Sequence, residues 1–131
     1  MTAPSPISSP LLDALPPKVR GDVLANAKRL TYTAGQVLVH ELDTALYLFI
    51  VESGHAIIEK KDAGVVGRFG PGDFFGEFAL IDDGTRTATV IAEDDLACIL
   101  IPAWEFRALL AAHPAMAIPM LHKLIDRLYR H

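Results

Sequence analysis

The sequence predicts a mainly β domain, a sandwich or barrel of short strands flanked by helices at both ends. Three observations point there. Glycines fall at 35, 54, 64, 67, 70, 72, 76 and 84, and between them lie short runs rich in Val, Ile, Leu, Tyr and Phe. Such runs, broken by turn residues, read as sheet strands. No helical pattern of ten or more residues separates them, so a parallel βαβ sheet is not expected. Helical spacing returns only before Thr31 and after Pro102.

Residues 1–9 are rich in Ser and Pro and read as a flexible tail, leaving 10–131 as one domain. Ser9 is placed to cap a short helix with Pro10 at its first position. Leu11, Leu12 and Leu15 follow as a small apolar cluster. Val19, Val23 and Ala27, with Leu24 beside them, then predict an amphipathic helix of about ten residues. The strand candidates are QVLVH from Gln36, ALYLFIV from Ala45, AIIEK from Ala56, VVGRF from Val65, TATVIA from Thr87 and LACILI from Leu96. Beyond Pro102, Trp104, Phe106, Leu109 and Leu110 predict a helix ended by His113 and Pro114; Trp104 and the phenylalanines are expected in the core. A last helix carries Ala117, Met120, Leu121, Leu124 and Leu128 as an apolar stripe. Pro119 belongs in its first turn. The stripe is expected to cover the roll and to leave little for a partner.

A length of 131 residues suits one core, and 51% hydrophobic with 21% charged residues is ordinary globular composition. A formal net charge of −4 argues against sequence-independent nucleic-acid binding, which needs a basic face. The one cysteine, Cys98, rules out an internal disulfide and a cysteine-ligated cluster, and it reads as a buried strand residue. The N-terminus lacks a basic start and an apolar run of signal-peptide length, and no stretch has the apolar length of a membrane span. A cytoplasmic protein, or the cytoplasmic piece of a larger one, is expected, with no membrane partner.

Residues 70–90, GPGDFFGEFALIDDGTRTATV, carry the chemistry. Gly70, Pro71 and Gly72 make a tight turn, and Gly76 permits positive φ and close approach of a ligand. A helix starting after Gly76 would aim free N–H groups at an anion. Arg86, among small neighbours, has the geometry to grip a phosphate through two parallel hydrogen bonds. Glu77 is placed to accept from a sugar hydroxyl. Together they describe a ribose phosphate, although a Glu and an Arg in a loop also make an ordinary solvated ion pair.

The segment resembles the phosphate-binding cassette of cyclic-nucleotide-binding domains, roughly F-G-E-x-A-L, a short variable stretch, then R-x-A-T-V. Phe75, Gly76, Glu77, Ala79, Leu80, Arg86, Ala88, Thr89 and Val90 match without a gap. Ala34-Gly35-Gln36, Ser53-Gly54 (resembling the family's hairpin after its third strand), Gly70-x-Gly72-Asp73, Phe106-x-x-Leu109 and His113-Pro114 extend the resemblance from about residue 11 to the end. The resemblance implies a double-stranded β-helix jelly roll (β-roll) with N- and C-terminal helices, and a sensor of cAMP first and cGMP second that catalyses nothing. It implies that Arg86 binds the exocyclic phosphate, that Glu77 binds the ribose 2′-hydroxyl, and that the backbone amides of Ala79 and Thr87 complete the cradle. Phe75, Gly76, Phe78 and Ala88 fall in the same ligand-binding segment. Arg127 and Tyr129 stand where a family arginine approaches the phosphate and an aromatic ring stacks on the base; both also read as solvated helix-end residues. Thr87 bears on the choice between cAMP and cGMP.

Two departures stand out. The family's first loop usually has Gly in E-G-D, whereas this chain has Glu41-Leu42-Asp43, so a distorted turn is expected. Thr85 stands where Pro often precedes the arginine. Cupin-type metal chemistry would need clustered histidines, and His40 and His55 read instead as strand-surface residues. Asp82-Asp83 beside Gly84 reads as a turn. No cofactor or metal is expected. The chain leaves no room for a DNA-reading helix-turn-helix, so direct nucleic-acid binding is not expected of it. A regulatory fragment of a larger enzyme, transporter or transcription factor, or a binding-null interaction domain, remains the alternative. A monomer or weak homodimer is expected, with the last helical turns ordering when ligand binds.

Overall fold

The computed structural model describes residues 9–77 and 86–129. Two short helices, α1 (Pro10–Asp13) and α2 (Pro17–Asn26), lead into eight strands: β1 (Lys28–Tyr32), β2 (Val37–Val39), β3 (Tyr47–Ser53), β4 (Ala56–Lys60), β5 (Gly64–Phe69), β6 (Phe74–Phe75), β7 (Thr89–Ala92) and β8 (Leu96–Pro102). Helix α3 (Ala103–Ala112), a 3₁₀ turn (Pro114–Met116) and helix α4 (Ala117–Tyr129) follow. The strands form two antiparallel four-stranded sheets, ordered β1-β8-β3-β6 and β2-β7-β4-β5. This is the sandwich with flanking helices that the glycine-punctuated strand runs predict, in the jelly-roll form that the family resemblance implies.

Alternation along the central strands explains the layering. Leu48 and Ile50 of β3, Ile99 and Ile101 of β8 and Phe74 of β6 turn toward the helices, where they meet Leu11, Leu12, Leu15, Val23, Phe106, Met116 and Met120. Their neighbours Phe49, Val51, Cys98, Leu100 and Phe75 turn the other way and pack with Ala56, Val90 and Ala92 of the second sheet. A strand with an apolar core on each face shows no polar alternation, which is why ALYLFIV and LACILI read as continuous apolar runs. Cys98 sits in the inter-sheet core, and burial pushes its thiol up to about 12, so it behaves as a small hydrophobe.

Several sequence expectations are corrected. Strand β1 begins three residues before Thr31, where the Lys28 and Arg29 side chains hid it, and pairs along β8 from Lys28–Leu100 to Tyr32–Leu96. Ala27 lies just past the end of α2. Ser9 precedes α1 with Pro10 first in the helix, but its hydroxyl makes no capping bond and is buried without a partner among the described residues. Ser53-Gly54 is not a hairpin: it carries the chain from β3 in one sheet to β4 in the other. His55 just beyond it is not a strand residue; its Nδ1 lies 2.8 Å from Asp94 Oδ2. Trp104 is 70% exposed, because the first turn of α3 buries Phe106 instead. The α4 stripe does not cover the roll. Ile118, Leu121, Leu124, Ile125 and Leu128 are all exposed, and Met120 is the buried apolar side chain of that helix. The Asp82-Asp83 turn and residues 1–8 of the tail lie outside the described residues. Among those described, no single helix is long and apolar enough to cross a membrane.

The Glu41-Leu42-Asp43 turn keeps its shape despite lacking glycine. Leu42 is the one described non-glycine residue at positive φ, 75°, and its side chain is 76% exposed. A branched side chain in the left-handed region costs roughly 1–2 kcal/mol, and here the surrounding hydrogen bonds hold it there. Leu42→Gly should therefore raise stability by about 0.5–1 kcal/mol, once glycine's greater unfolded-state entropy is subtracted. Thermal unfolding of the two proteins checks this, and an unchanged or lower midpoint would show that the turn carries no strain.

Candidate functional site

Three segments converge on Arg86. From the first loop, the Arg86 N–H donates to the Asp43 carbonyl and the Leu42 N–H donates to the Arg86 carbonyl, each at 2.8 Å. From β3, the Tyr47 carbonyl accepts from Arg86 Nη2 at 2.5 Å, and the guanidinium carbon stands 5.5 Å from the centre of the Phe49 ring. From the turn after β6, Gly76 lies so close that a Cβ there would meet Arg86 Nη1 at 2.0 Å. Gly76 also has φ 93°, so sterics and backbone conformation both demand glycine.

The guanidinium is 4% exposed, yet Nε and Nη1 have no hydrogen-bond partner among the described residues. Burial pushes its pKa below the ordinary arginine value, while the carboxylates of Glu77 and Asp43 pull it back up. Guanidinium stays charged in proteins, so two unpartnered nitrogens on a buried cation represent a cost of several kcal/mol. An anion with two adjacent oxygens removes that cost. A phosphate does so with two parallel bonds.

Glu77 is the second buried charge, 1% exposed. The chain turns helical there directly after Gly76. Its carboxylate faces Lys123 of α4, with Nζ 3.0 Å from Oε1 and 3.2 Å from Oε2. Lys123 Nζ also donates to the Phe74 carbonyl and stands over the Phe74 and Phe69 rings. Between the two cations runs an aromatic stack: Phe49 on Phe75 and Phe75 on Phe69, each pair with centroids 4.8 Å apart. Arg86 lies against Phe49 at one end and Lys123 against Phe69 at the other.

Of the residues singled out in the sequence, Gly76, Glu77 and Arg86 come together as expected. Phe75 has its ring within the inter-sheet core, so it supports the site from below. Thr87 is exposed and Ala88 half-buried beside Arg86. Phe78 and Ala79 lie outside the described residues. Arg127 falls within α4, but its side chain is also outside the description. Tyr129 is 84% exposed near the end of α4. Sequence reasoning missed Tyr47, which acts through a backbone oxygen and so leaves no side-chain signal. It also missed Lys123, whose signal was a cation three residues after the inward-facing Met120.

Comparison with known proteins settles the family. The profile of the cyclic nucleotide-binding domain matches residues 29–113, well over half of the chain. The chain belongs to that family. It is 36% identical over 102 residues to a cAMP-dependent protein kinase regulatory subunit of Aspergillus fumigatus, a match covering 77% of this chain and 25% of the relative. The chain thus spans about a quarter of the length of such a kinase subunit. Among solved structures, the Thermus thermophilus catabolite activator protein superposes with a TM-score of 0.78 at 28% identity, covering 93% of this chain and 59% of that one. The regulatory domain of Toxoplasma gondii protein kinase A, determined with cAMP, gives 0.76 at 26% identity, covering 89% of this chain and 45% of that one.

Gly76→Ala should displace the Arg86 guanidinium and abolish the anion grip in a folded protein. Circular dichroism would report the fold, and a cyclic nucleotide titration would report the site. Wild-type affinity in a folded Gly76→Ala variant would show that the Gly76–Arg86 contact does not shape it.

Proposed function

We propose that this domain reversibly binds a cyclic nucleotide, cAMP ahead of cGMP, and passes occupancy to its C-terminal helices. One observation carries the reading: a buried arginine, backed by glycine, has two nitrogens without a partner among the described residues, beside a buried carboxylate. A cyclic phosphodiester keeps one negative charge and leaves the 2′-hydroxyl as its free ribose hydroxyl. Arg86 matches the charge and Glu77 matches the hydroxyl. The family resemblance assigns the rest of the phosphate cradle to the backbone amides of Ala79 and Thr87, with Phe78 and Ala88 in the same segment. It likewise assigns Arg127 a role at the phosphate and Tyr129 a role at the base. The ranking of cAMP over cGMP rests on relatives named for cAMP-dependent action. The chain acts as a cytoplasmic sensor, not a catalyst, either alone or as the regulatory part of a longer protein.

Calorimetric titration with cAMP and cGMP tests the reading. Arg86→Ala should weaken binding by about 2–4 kcal/mol, the cost of stripping one partner from a buried charged contact. Unchanged affinity in the folded variant would defeat the assignment. Competition between the two nucleotides, for wild type and Thr87→Ala, decides the base. A wild-type preference for cGMP above about tenfold, or 1.4 kcal/mol, would reverse the ranking.

The outer face of α4 bears on assembly. Ile118, Leu121, Ile125 and Leu128 repeat at spacings of three, four and three, all exposed. Ile and Leu alternating at these positions form a two-helix seam. Thirteen residues supply only about two heptads, fewer than a stable coiled coil uses. We infer a weak homodimer through this seam, on grounds opposite to the covered stripe behind the expected monomer or weak homodimer. Sedimentation should show concentration-dependent dimerisation that Ile125→Glu removes. A wild type that stays monomeric throughout would refute the seam.

A further inference from the structure

Lys123 has no place in the chemistry derived above, yet it is the cation that meets the second buried charge of the site. We propose that Lys123 is the positioning residue of the sugar subsite: it holds the Glu77 carboxylate aimed for a ribose hydroxyl, and it fastens α4 to that subsite. The inference rests on the cyclic nucleotide reading and deepens it.

The geometry is specific. Both carboxylate oxygens of Glu77 lie within 3.2 Å of Lys123 Nζ. The third ammonium direction is taken by the Phe74 carbonyl, on the strand that leads into Gly76 and Glu77. The ammonium is thus tied to both ends of the four-residue segment Phe74–Glu77, and it stands over the Phe69 and Phe74 rings. A carboxylate has about four lone-pair directions, so one shared with Lys123 still accepts a hydroxyl.

Charge balance decides whether Lys123 stays when ligand arrives. Among the described side chains, Arg86 and Lys123 are two cations around one buried carboxylate, and Asp43 is exposed and screened by solvent. The excess of one positive charge equals the single negative charge of a cyclic phosphodiester. Without Lys123, Arg86 would face both a phosphate and Glu77, leaving one buried negative charge uncompensated, which low-dielectric surroundings penalise. Lys123 therefore remains on Glu77 in the complex. Occupancy of the sugar subsite is then felt on α4 through one ion pair.

The test uses the whole chain as wild type, Lys123→Gln, Lys123→Arg, Glu77→Gln and the Glu77→Gln/Lys123→Gln double variant. Titrations use cAMP and 2′-deoxy-cAMP. Lys123→Gln should weaken cAMP binding about tenfold, less than the loss of a buried charge that itself touches the ligand, while 2′-deoxy-cAMP should change far less. Lys123→Arg should restore most of the affinity, and Lys123→Gln should add little on the Glu77→Gln background. Equal losses for both nucleotides, or additive losses in the double variant, would overturn the proposal and leave cyclic nucleotide binding intact. Hydrogen exchange without nucleotide supplies an independent arm. Residues 120–129 should exchange faster in Lys123→Gln and in Glu77→Gln than in wild type or Lys123→Arg. Unchanged exchange in both variants would overturn the tether even if wild type bound no nucleotide, an outcome that would itself sink the functional reading.

Discussion

The site depends on a charged guanidinium placed inside the protein with fewer partners than it needs. Burying Arg86 beside Phe49 and against the Gly76 backbone sacrifices hydration, and the Tyr47 carbonyl returns only part of it. Stability alone would favour an apolar residue at such a position. The surrounding structure instead over-determines it: two backbone bonds from the 42–43 turn hold the Arg86 main chain, and strand β3 supplies both the ring and the carbonyl. The strained φ of Leu42 belongs to the same device, since its N–H must point at the Arg86 carbonyl. Local strain concentrated around one underpaired cation is what a binding site costs a fold.

The jelly roll suits this task because its central strands are buried on both faces. Residues 47–51 of β3 serve the helical core, the inter-sheet core and the site within one five-residue stretch. Strand β6 repeats the economy in two residues: Phe74 faces the helices, and Phe75 completes the Phe49–Phe75–Phe69 stack. Rings packed at 4.8 Å leave no slack, so the positions of Gly76 and Glu77 are set by core packing.

The sequence exposed the fold through its glycines and alternations, and exposed the site through the unbroken F-G-E and R-x-A-T-V pattern. What stayed hidden has common physical causes. Tyr47 contributes a carbonyl, and any residue could. Strand β1 carries Lys28 and Arg29 on an edge, where charge is tolerated, so it lacked the apolar texture that marks β3 and β8. Trp104 was misplaced because helical spacing identifies an apolar face without saying which of its members reaches the core. The α4 stripe failed for a related reason: its apolar positions spread around more of the helix than one contact can bury, and Met116 and Met120 already fill the space above β3 and β8.

That surplus of apolar surface gives α4 two jobs. At 100° per residue, Met120 and Lys123 share one face, while Ile118, Leu121, Ile125 and Leu128 lie on the opposite one. The inward face meets the core through Met120 and the Glu77 carboxylate through Lys123. The outward face presents the Ile/Leu seam. A helix is stiff over thirteen residues, so a rotation or shift imposed at Lys123 must appear at the seam. Coupling between ligand and partner then needs no chain of intermediaries: both bias the same element, the physical requirement for linkage between sites. Under the proposed nucleotide-binding and dimer readings that linkage would be reciprocal: a partner helix that fixed the outward seam would also fix where Lys123 stands, and so how Glu77 is aimed before any nucleotide arrives.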